Sequence, residues 1–331
     1  MRVLVTGGGG FVGGAVARLL QRRGHQVRSL SRMPHPELAA DGVEVLVGDL
    51  RDLEAVRAAC RGQEGVIHCA ALVGLWGDYK SFFEVNVAGT HHIIRACQES
   101  GVSRLVFTSS PSVVFPGSDV EGWTESAPYP QRFDSHYSRT KAVAERLVLA
   151  ANRPDLLTVA LRPHLVWGPG EDRLVARMVA RAHAGELRRI GSYNKLVDAT
   201  FIDDAAEAHR LALESLQPGS AAAGRPYFIS GGRPLPVWEI VNAILEAAGL
   251  PPVDKSVSPI AARAAAWAYE TWYAATRRRD EPRLTRFLVQ QLSTAHWFDI
   301  SAARRDLGYE PRVAFEDGLE RMRKWFDSRK G

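Results

Sequence analysis

A chain of 331 residues, 46% of them hydrophobic, is long enough to bury a sizeable core and to hold one large domain or two fused ones. Its net charge of +5 is mild and its basic residues are spread along the chain, so no nucleic-acid footprint stands out. Three cysteines, Cys60, Cys69 and Cys97, show no metal spacing and cannot all pair, and glycines stand where a signal peptide would need its apolar region. The expectation is a cytoplasmic protein with reduced thiols and no metal.

In chain order, the first apolar run is Arg2-Val3-Leu4-Val5-Thr6. Gly7-Gly8-Gly9-Gly10-Phe11-Val12-Gly13 follows directly and opens an amphipathic stretch through Val16, Leu19 and Leu20. Strand, glycine turn and helix in that order are what a dinucleotide site requires. Glycines at 7, 10 and 13 permit a tight turn, close approach of a pyrophosphate to the backbone and close packing of helix on strand, while the helix N-terminus faces the phosphates. A plain flexible loop is the alternative, and the flanking elements speak against it. At the end of the second apolar run, where an NAD site usually offers a carboxylate, the chain has Ser31 and then Arg32. A ribose 2′-phosphate would meet a hydroxyl and a guanidinium fork there, so NADP(H) is favoured over NAD. An exposed Arg with no ligand is the plainer alternative.

Further strands are expected near 43–47, 65–69, 104–109 and 157–162, beside those at 3–6 and 26–31, with another near 197–202 and helices between them. That alternation predicts an α/β fold, a Rossmann-type doubly wound parallel sheet over 1–165. Beyond it the alternation lapses. Gly168-Pro169-Gly170, Pro218-Gly219 and Pro251-Pro252 punctuate a smaller, mostly helical substrate region over 166–331, with some elements around 196–215 packing back on the sheet.

The stretch carrying reaction chemistry is Tyr137-Ser138-Arg139-Thr140-Lys141. Four positions on a helix share a face, so the Tyr137 hydroxyl and the Lys141 ammonium can reach one site. A cation beside a phenol favours the phenolate, so Lys141 is expected to draw the Tyr137 pKa down from about 10 toward neutrality. Ser110, after the run at 104–109, would steady an oxygen that gains charge. Taken singly, Ser110 is as well read as a turn hydroxyl and the Tyr–Lys pair as a solvated helix face.

Together these residues fall into a family pattern. Thr6-Gly7-x-x-Gly10-Phe11-x-Gly13, Asp49-Leu50, His68-x-Ala70-Ala71, Asn86-Val87-x-Gly89-Thr90, Ser110, Tyr137-x-x-x-Lys141, Arg162-Pro163 and Gly168-Pro169 run in order along the chain. They resemble the extended short-chain dehydrogenase/reductase superfamily. Within it, Pro282-x-Leu284-Thr285-Arg286 and Leu307-Gly308-Tyr309-x-Pro311 resemble the 3β-hydroxysteroid dehydrogenase branch. Ala70-Ala71-x-Val73-Gly74-x-Trp76-Gly77-x-Tyr79 and His296-Trp297 are similar to that branch's bacterial 2-alkyl-3-oxoalkanoate reductases of olefin biosynthesis. The resemblance implies Ser110, Tyr137 and Lys141 as catalytic residues, with Lys141 also on the nicotinamide ribose and Pro163 beside the carboxamide. It implies Gly7, Gly10, Phe11, Val12, Gly13, Asp49, Leu50, Ala70 and Ala71 around the rest of the dinucleotide, with Asp49 on the adenine unless it caps the helix after Asp52. A homodimer is plausible on the same ground.

For the substrate, Trp76, Ser112, Phe115, Trp167, Tyr193, His296 and Trp297 lie on loops or after strand ends, where such sheets build their cleft. An apolar 3-oxo compound is expected, best a long-chain 2-alkyl-3-oxoalkanoate. A sterol, a nucleotide sugar contacted through Arg177, Arg188 and Arg189, or a cofactor-binding sensor without catalysis are the competing readings. His164 is read as a satisfied core histidine. The stretch 261–275, with Trp267, Tyr269, Trp272 and Tyr273, resembles an interfacial helix or a lid over a greasy pocket, and the cations at 277–279 would suit anionic lipid.

Overall fold

The computed structural model describes residues 1–278 and 280–329. Among these residues the strands in chain order are β1 (Arg2–Thr6), β2 (Gln26–Ser31), β3 (Glu44–Val47), β4 (Gly65–His68), β5 (Arg104–Thr108), β6 (Val120–Trp123), β7 (Leu157–Pro163), β8 (Val166–Trp167), β9 (Arg189–Ile190), β10 (Leu196–Val197), β11 (Thr200–Phe201), β12 (Arg225–Ile229), β13 (Leu235–Pro236), β14 (Ser256–Val257) and β15 (His296–Phe298). Seven of them form one parallel sheet in the order β12-β7-β5-β4-β1-β2-β3. Alternate residues of β1 explain why its middle, Val3-Leu4-Val5, is apolar without a break. Val3 and Val5 enter one buried cluster with Val16, Ala17 and Leu20 of the helix Phe11–Arg22, while Leu4 enters another with Val56 and Ile93 on the opposite face. A parallel sheet covered on both faces has no polar side to show. The order reverses between β1 and β4, and the crevice at their carboxyl ends is where such sheets bind ligands.

Two features depart from the sequence reading. The run expected near 197–202 is split: β10 joins a second sheet in the order β13-β10-β15-β6, β11 pairs with β8, and Ile202 opens the helix Ile202–Ser215. Asp203 and Asp204 in the first turn of that helix suit its N-terminal dipole. The seventh strand of the main sheet, β12, stands in the region beyond 165 that the sequence reading takes as a smaller, mostly helical part. As an edge strand, β12 tolerates Pro226, a residue without an N–H. Residues 1–165 therefore do not complete the sheet by themselves; β12 and the apolar face of Ile202–Ser215 return to it. A third cluster around Trp238, Ile244, Val289 and Met322 forms the C-terminal core. Among the described residues no helix is long and apolar enough to cross a membrane.

Candidate active site

The glycine turn is built for a ligand's backbone rather than for side chains. Gly7 has φ +72°, and a Cβ there would stand 2.9 Å from the Ala70 Cα. A Cβ at Gly13 would run into the Gly7 carbonyl, so neither position admits a larger residue without moving the turn. The Gly10 N–H closes the turn on the Gly7 carbonyl at 2.8 Å, and the Phe11–Arg22 helix begins at the next residue with Val12 behind it. Ser31 Oγ accepts from the Gly9 N–H at 3.2 Å, while Arg32 beside it stands exposed. Asp49 carries a local bond network: its carboxylate accepts from the Arg51 N–H at 2.8 Å and from the Arg51 guanidinium at 2.7 Å, which holds it below the usual carboxylate range, with Arg32 adding to the effect. The cap of the helix Leu53–Cys60 is Asp52, leaving Asp49 at the mouth of an open cleft with Glu84 and His92. Leu50 lies against Gly89, and its carbonyl is bonded to His92 at 2.7 Å.

A buried polar chain connects this turn to the helix that carries Tyr137 and Lys141. Thr6 Oγ1 accepts from the Ala70 N–H at 3.1 Å and lies 2.7 Å from His68 Nδ1, and His68 Nε2 lies 3.0 Å from Thr90 Oγ1. Thr90 spends its own proton on the Asn86 carbonyl at 2.6 Å, so the His68 proton sits on Nε2. Burial pushes His68 down to about 3, which keeps it neutral. Asn86, in the π-helical turn Glu84–Ala88, clasps Leu72 with both ends of its amide and donates to Thr140 Oγ1 at 3.1 Å. Asn86, a motif residue in the sequence, thereby ties the loop after β4 to the helix that carries Tyr137, from a π-turn of a kind frequent at functional sites.

Ser110, Tyr137 and Pro163 meet in one cavity of about 150 Å³ at the carboxyl ends of β5 and β7. Ser135 caps the helix His136–Ala150 through the Ser138 N–H at 3.0 Å and so fixes the first turn that carries Tyr137. Arg162, two-pronged on Glu145 of that helix at 3.0 and 2.7 Å, locks the end of β7 to it and places Pro163. Tyr137 leaves part of its ring open to the cavity, yet burial pushes its hydroxyl up to about 12; Ser110 and Arg173 act weakly the other way. This corrects the expectation of a cation-lowered phenol. Lys141 shares the helix face but extends past Tyr137, donating to the Thr108 carbonyl at 2.5 Å and lying 3.9 Å from the Phe107 ring centre. Burial brings Lys141 itself down to about 7.

Of the expected substrate residues, Ser112, Phe115 and His296 line this cavity. The others do not. Trp167 is turned into the core against Phe201 and Phe315, at 5.2 and 5.1 Å between ring centres. Side chains alternate along β15, so His296 and Phe298 face the cavity and Trp297 lies on the far side over Gly122. Tyr193 is exposed, with its ring 4.4 Å from the Arg189 guanidinium. Trp76 lies in the loop after β4, outside the cavity lining, where its indole N–H donates to the Arg278 carbonyl at 3.1 Å. Sequence reasoning missed Phe287 and Gln291, which the helix Arg286–Ser293 brings into the cavity wall. The Pro282–Arg286 motif just before them was the available signal. His164, read as core, also lines the cavity, bonded to Asp198 and 3.0 Å from His296 Nδ1. His296 in turn donates through Nε2 to the Gln291 carbonyl at 2.8 Å, and burial holds it neutral, at about 3. Arg173 is a further missed residue. Its guanidinium reaches across the sheet's carboxyl edge to the Val73 carbonyl at 3.2 Å, and it is the cation that acts on Tyr137.

The glycine cradle, the helix N-terminus above it and Ser31–Arg32 fit a dinucleotide, whose nicotinamide end would reach Tyr137, Lys141 and Pro163. Residues 4–259 match the model of the 3-beta hydroxysteroid dehydrogenase/isomerase family. The chain is 49% identical to a 2-alkyl-3-oxoalkanoate reductase of Stenotrophomonas maltophilia, over 98% of each chain. It is 36% identical to a 3-beta-hydroxysteroid dehydrogenase of Mycolicibacterium neoaurum, over 96% of this chain and 89% of that one. Among solved structures it is similar to the UDP-glucose 4-epimerase of Thermus thermophilus in complex with NAD, with 28% identity, a TM-score of 0.74, and coverage of 99% of this chain and 100% of that one.

Proposed function

Since the chain belongs to the 3-beta hydroxysteroid dehydrogenase/isomerase family and is an NAD(P)-dependent oxidoreductase of the extended short-chain type, we propose that it reduces the 3-oxo group of a long-chain 2-alkyl-3-oxoalkanoate with NADPH. The observation that carries this reading is the enclosed Tyr137 hydroxyl beside Ser110 in an apolar cavity, within a chain nearly half identical to a reductase of that name. When bound, the cofactor supplies the hydride that reaches the carbonyl carbon. Tyr137, kept protonated by burial, gives its proton to the carbonyl oxygen as charge develops there. Ser110 donates a hydrogen bond to the same oxygen. Lys141, poised near neutrality, is suited to holding the nicotinamide ribose and refilling the Tyr137 proton.

An oxo acid brings a carboxylate, and an unpaired carboxylate is costly to enclose. His296 is neutral and Lys141 is turned to Thr108, so Arg173 is the counter-charge we assign to it. Phe115, Phe287 and Phe298 offer apolar walls for the alkyl chains, each buried methylene contributing about 0.8 kcal/mol. Arg32 and Ser31 favour the 2′-phosphate of NADPH. The test is NADPH oxidation with a chain-length series of 2-alkyl-3-oxoalkanoates beside a 3-oxosteroid and a nucleotide sugar. We expect kcat/KM to climb with chain length; a flat series, or far better turnover of the steroid or sugar, refutes the substrate and leaves the reductase chemistry.

A further inference from the structure

The helix Pro259–Ala275 shows solvent the side that a globular protein ordinarily buries. Ala262, Ala266 and Tyr273 share one face and hold it to the body. Around the remaining circumference stand Ile260, Ala264, Trp267, Ala268, Trp272 and Ala275, and Ile260, Trp267 and Trp272 are 83%, 60% and 49% exposed. At 3.6 residues per turn these positions form one continuous stripe. The polar residue within it, Thr271, turns its hydroxyl back to the Trp267 carbonyl at 2.8 Å. At 1.5 Å per residue the stripe runs roughly 25 Å, and a continuous exposed apolar patch of this kind marks an interaction surface.

Charge and position say what covers it. The helix's one acid, Glu270, is paired with Arg286, and Asp280 beyond it is paired with Arg278. Arg263 and Arg277, both exposed, have no acidic partner among the described residues. The face is thus aromatic and apolar with unopposed cations at its borders, the composition of a helix that lies in a lipid headgroup layer. Tyr273 meets the Trp76 ring edge-on at 6.0 Å, so the far end of the helix is fastened to the loop after β4 whose Val73 carbonyl Arg173 reaches. No residue of the helix is among those lining the cavity itself, which separates docking from the role of a lid. Arg279 lies outside the described residues.

We propose that this helix docks the protein on an anionic phospholipid bilayer, with Trp267 and Trp272 in the headgroup–acyl boundary and Arg263 and Arg277 against lipid phosphates. Docked so, the loop after β4 faces the phase in which a long-chain acid dissolves. That use of the bilayer rests on the function proposed above; the docking does not. The test is co-sedimentation of the nucleotide-free full chain with phosphatidylcholine vesicles, with and without phosphatidylglycerol. The wild type is expected to pellet with the anionic vesicles, less with the neutral ones, and less as salt shortens the ~10 Å screening length of 0.1 M. Trp267→Glu with Trp272→Glu should cut binding by about tenfold or more, since both anchors leave the interface. Both side chains are exposed, so Tm and turnover of a short, water-soluble 3-oxo substrate should stay unchanged. A wild type that stays in the supernatant with both vesicles overturns the proposal. So does a dimer, seen by light scattering, that the double substitution splits, because the stripe is then a subunit interface. Pelleting without reductase activity on any acid rejects the functional reading and leaves the docking intact.

Discussion

Replacing Lys141 by methionine tests the electrostatics of the site through folding. The amine is enclosed between the Thr108 carbonyl and the Phe107 ring, and burial brings it from its ordinary 10.5 to about 7. Each tenfold loss of proton affinity is worth about 1.36 kcal/mol, so below pH 7, where the folded protein carries the charge, that charge costs roughly 5 kcal/mol of stability. Between 7 and 10.5 the unfolded chain holds a proton that the folded chain has released, and wild-type stability therefore rises with pH through this window. Methionine is similar in length and uncharged. It removes the cost but leaves the Thr108 carbonyl without its donor, a loss of about 1–3 kcal/mol. The variant should be more stable than the wild type by about 2–4 kcal/mol near pH 6, and the advantage should vanish near pH 10. Urea unfolding of nucleotide-free protein at both pH values, followed by tryptophan fluorescence, measures the difference. A variant already less stable near pH 6, or a gap equal at the two pH values, would refute the assignment of the cost to a buried charge.

Tyr137→Phe removes one proton donor and should lower turnover by about 10²–10⁴ while nucleotide still binds; near-normal kcat sinks the mechanism. Because burial holds Tyr137 near 12 while Lys141, which refills its proton, titrates at about 7, reduction should slow as pH rises through 7, whereas oxidation of the 3-hydroxy product should speed up with pH as the phenol loses its proton more readily. Arg32→Ala should weaken NADPH more than NADH in a fluorescence titration, and equal losses would show that the guanidinium does not read the 2′-phosphate. Arg173→Gln should raise KM for oxo acids by about tenfold or more, the worth of one charge-assisted bond, and leave neutral ketones of the same chain length little changed; parallel losses on both would remove Arg173 from carboxylate recognition.

The amino-acid order alone determined six of the seven strands of the sheet and the glycine turn. Val3, Leu4 and Val5 must all be apolar because both faces of β1 are covered, and glycines at 7 and 13 are required by backbone that leaves no room for a Cβ. Both constraints are local and periodic, so they are written in consecutive residues. The same holds for Tyr137 and Lys141, whose shared face follows from helical spacing. Spacing did not reveal where the Lys141 amine would point, because a long side chain chooses its partner from another strand, here the Thr108 carbonyl of β5. Nor did it sort the aromatics. Trp167, Tyr193 and Trp297 carry the same loop and strand-end signals as Phe115, and only packing against Phe201 and Phe315, a cation over an exposed ring, and the alternation of β15 turned them away from the cavity. Phe287, Gln291 and Arg173 reach the site from distant segments, and β12 completes the sheet from beyond residue 220. Local chemistry thus set the glycine turn and the shared face of Tyr137 and Lys141, while the walls of the cavity and the charges beside it also needed contacts between segments far apart in the chain, as between Arg173 and Val73 or His164 and His296.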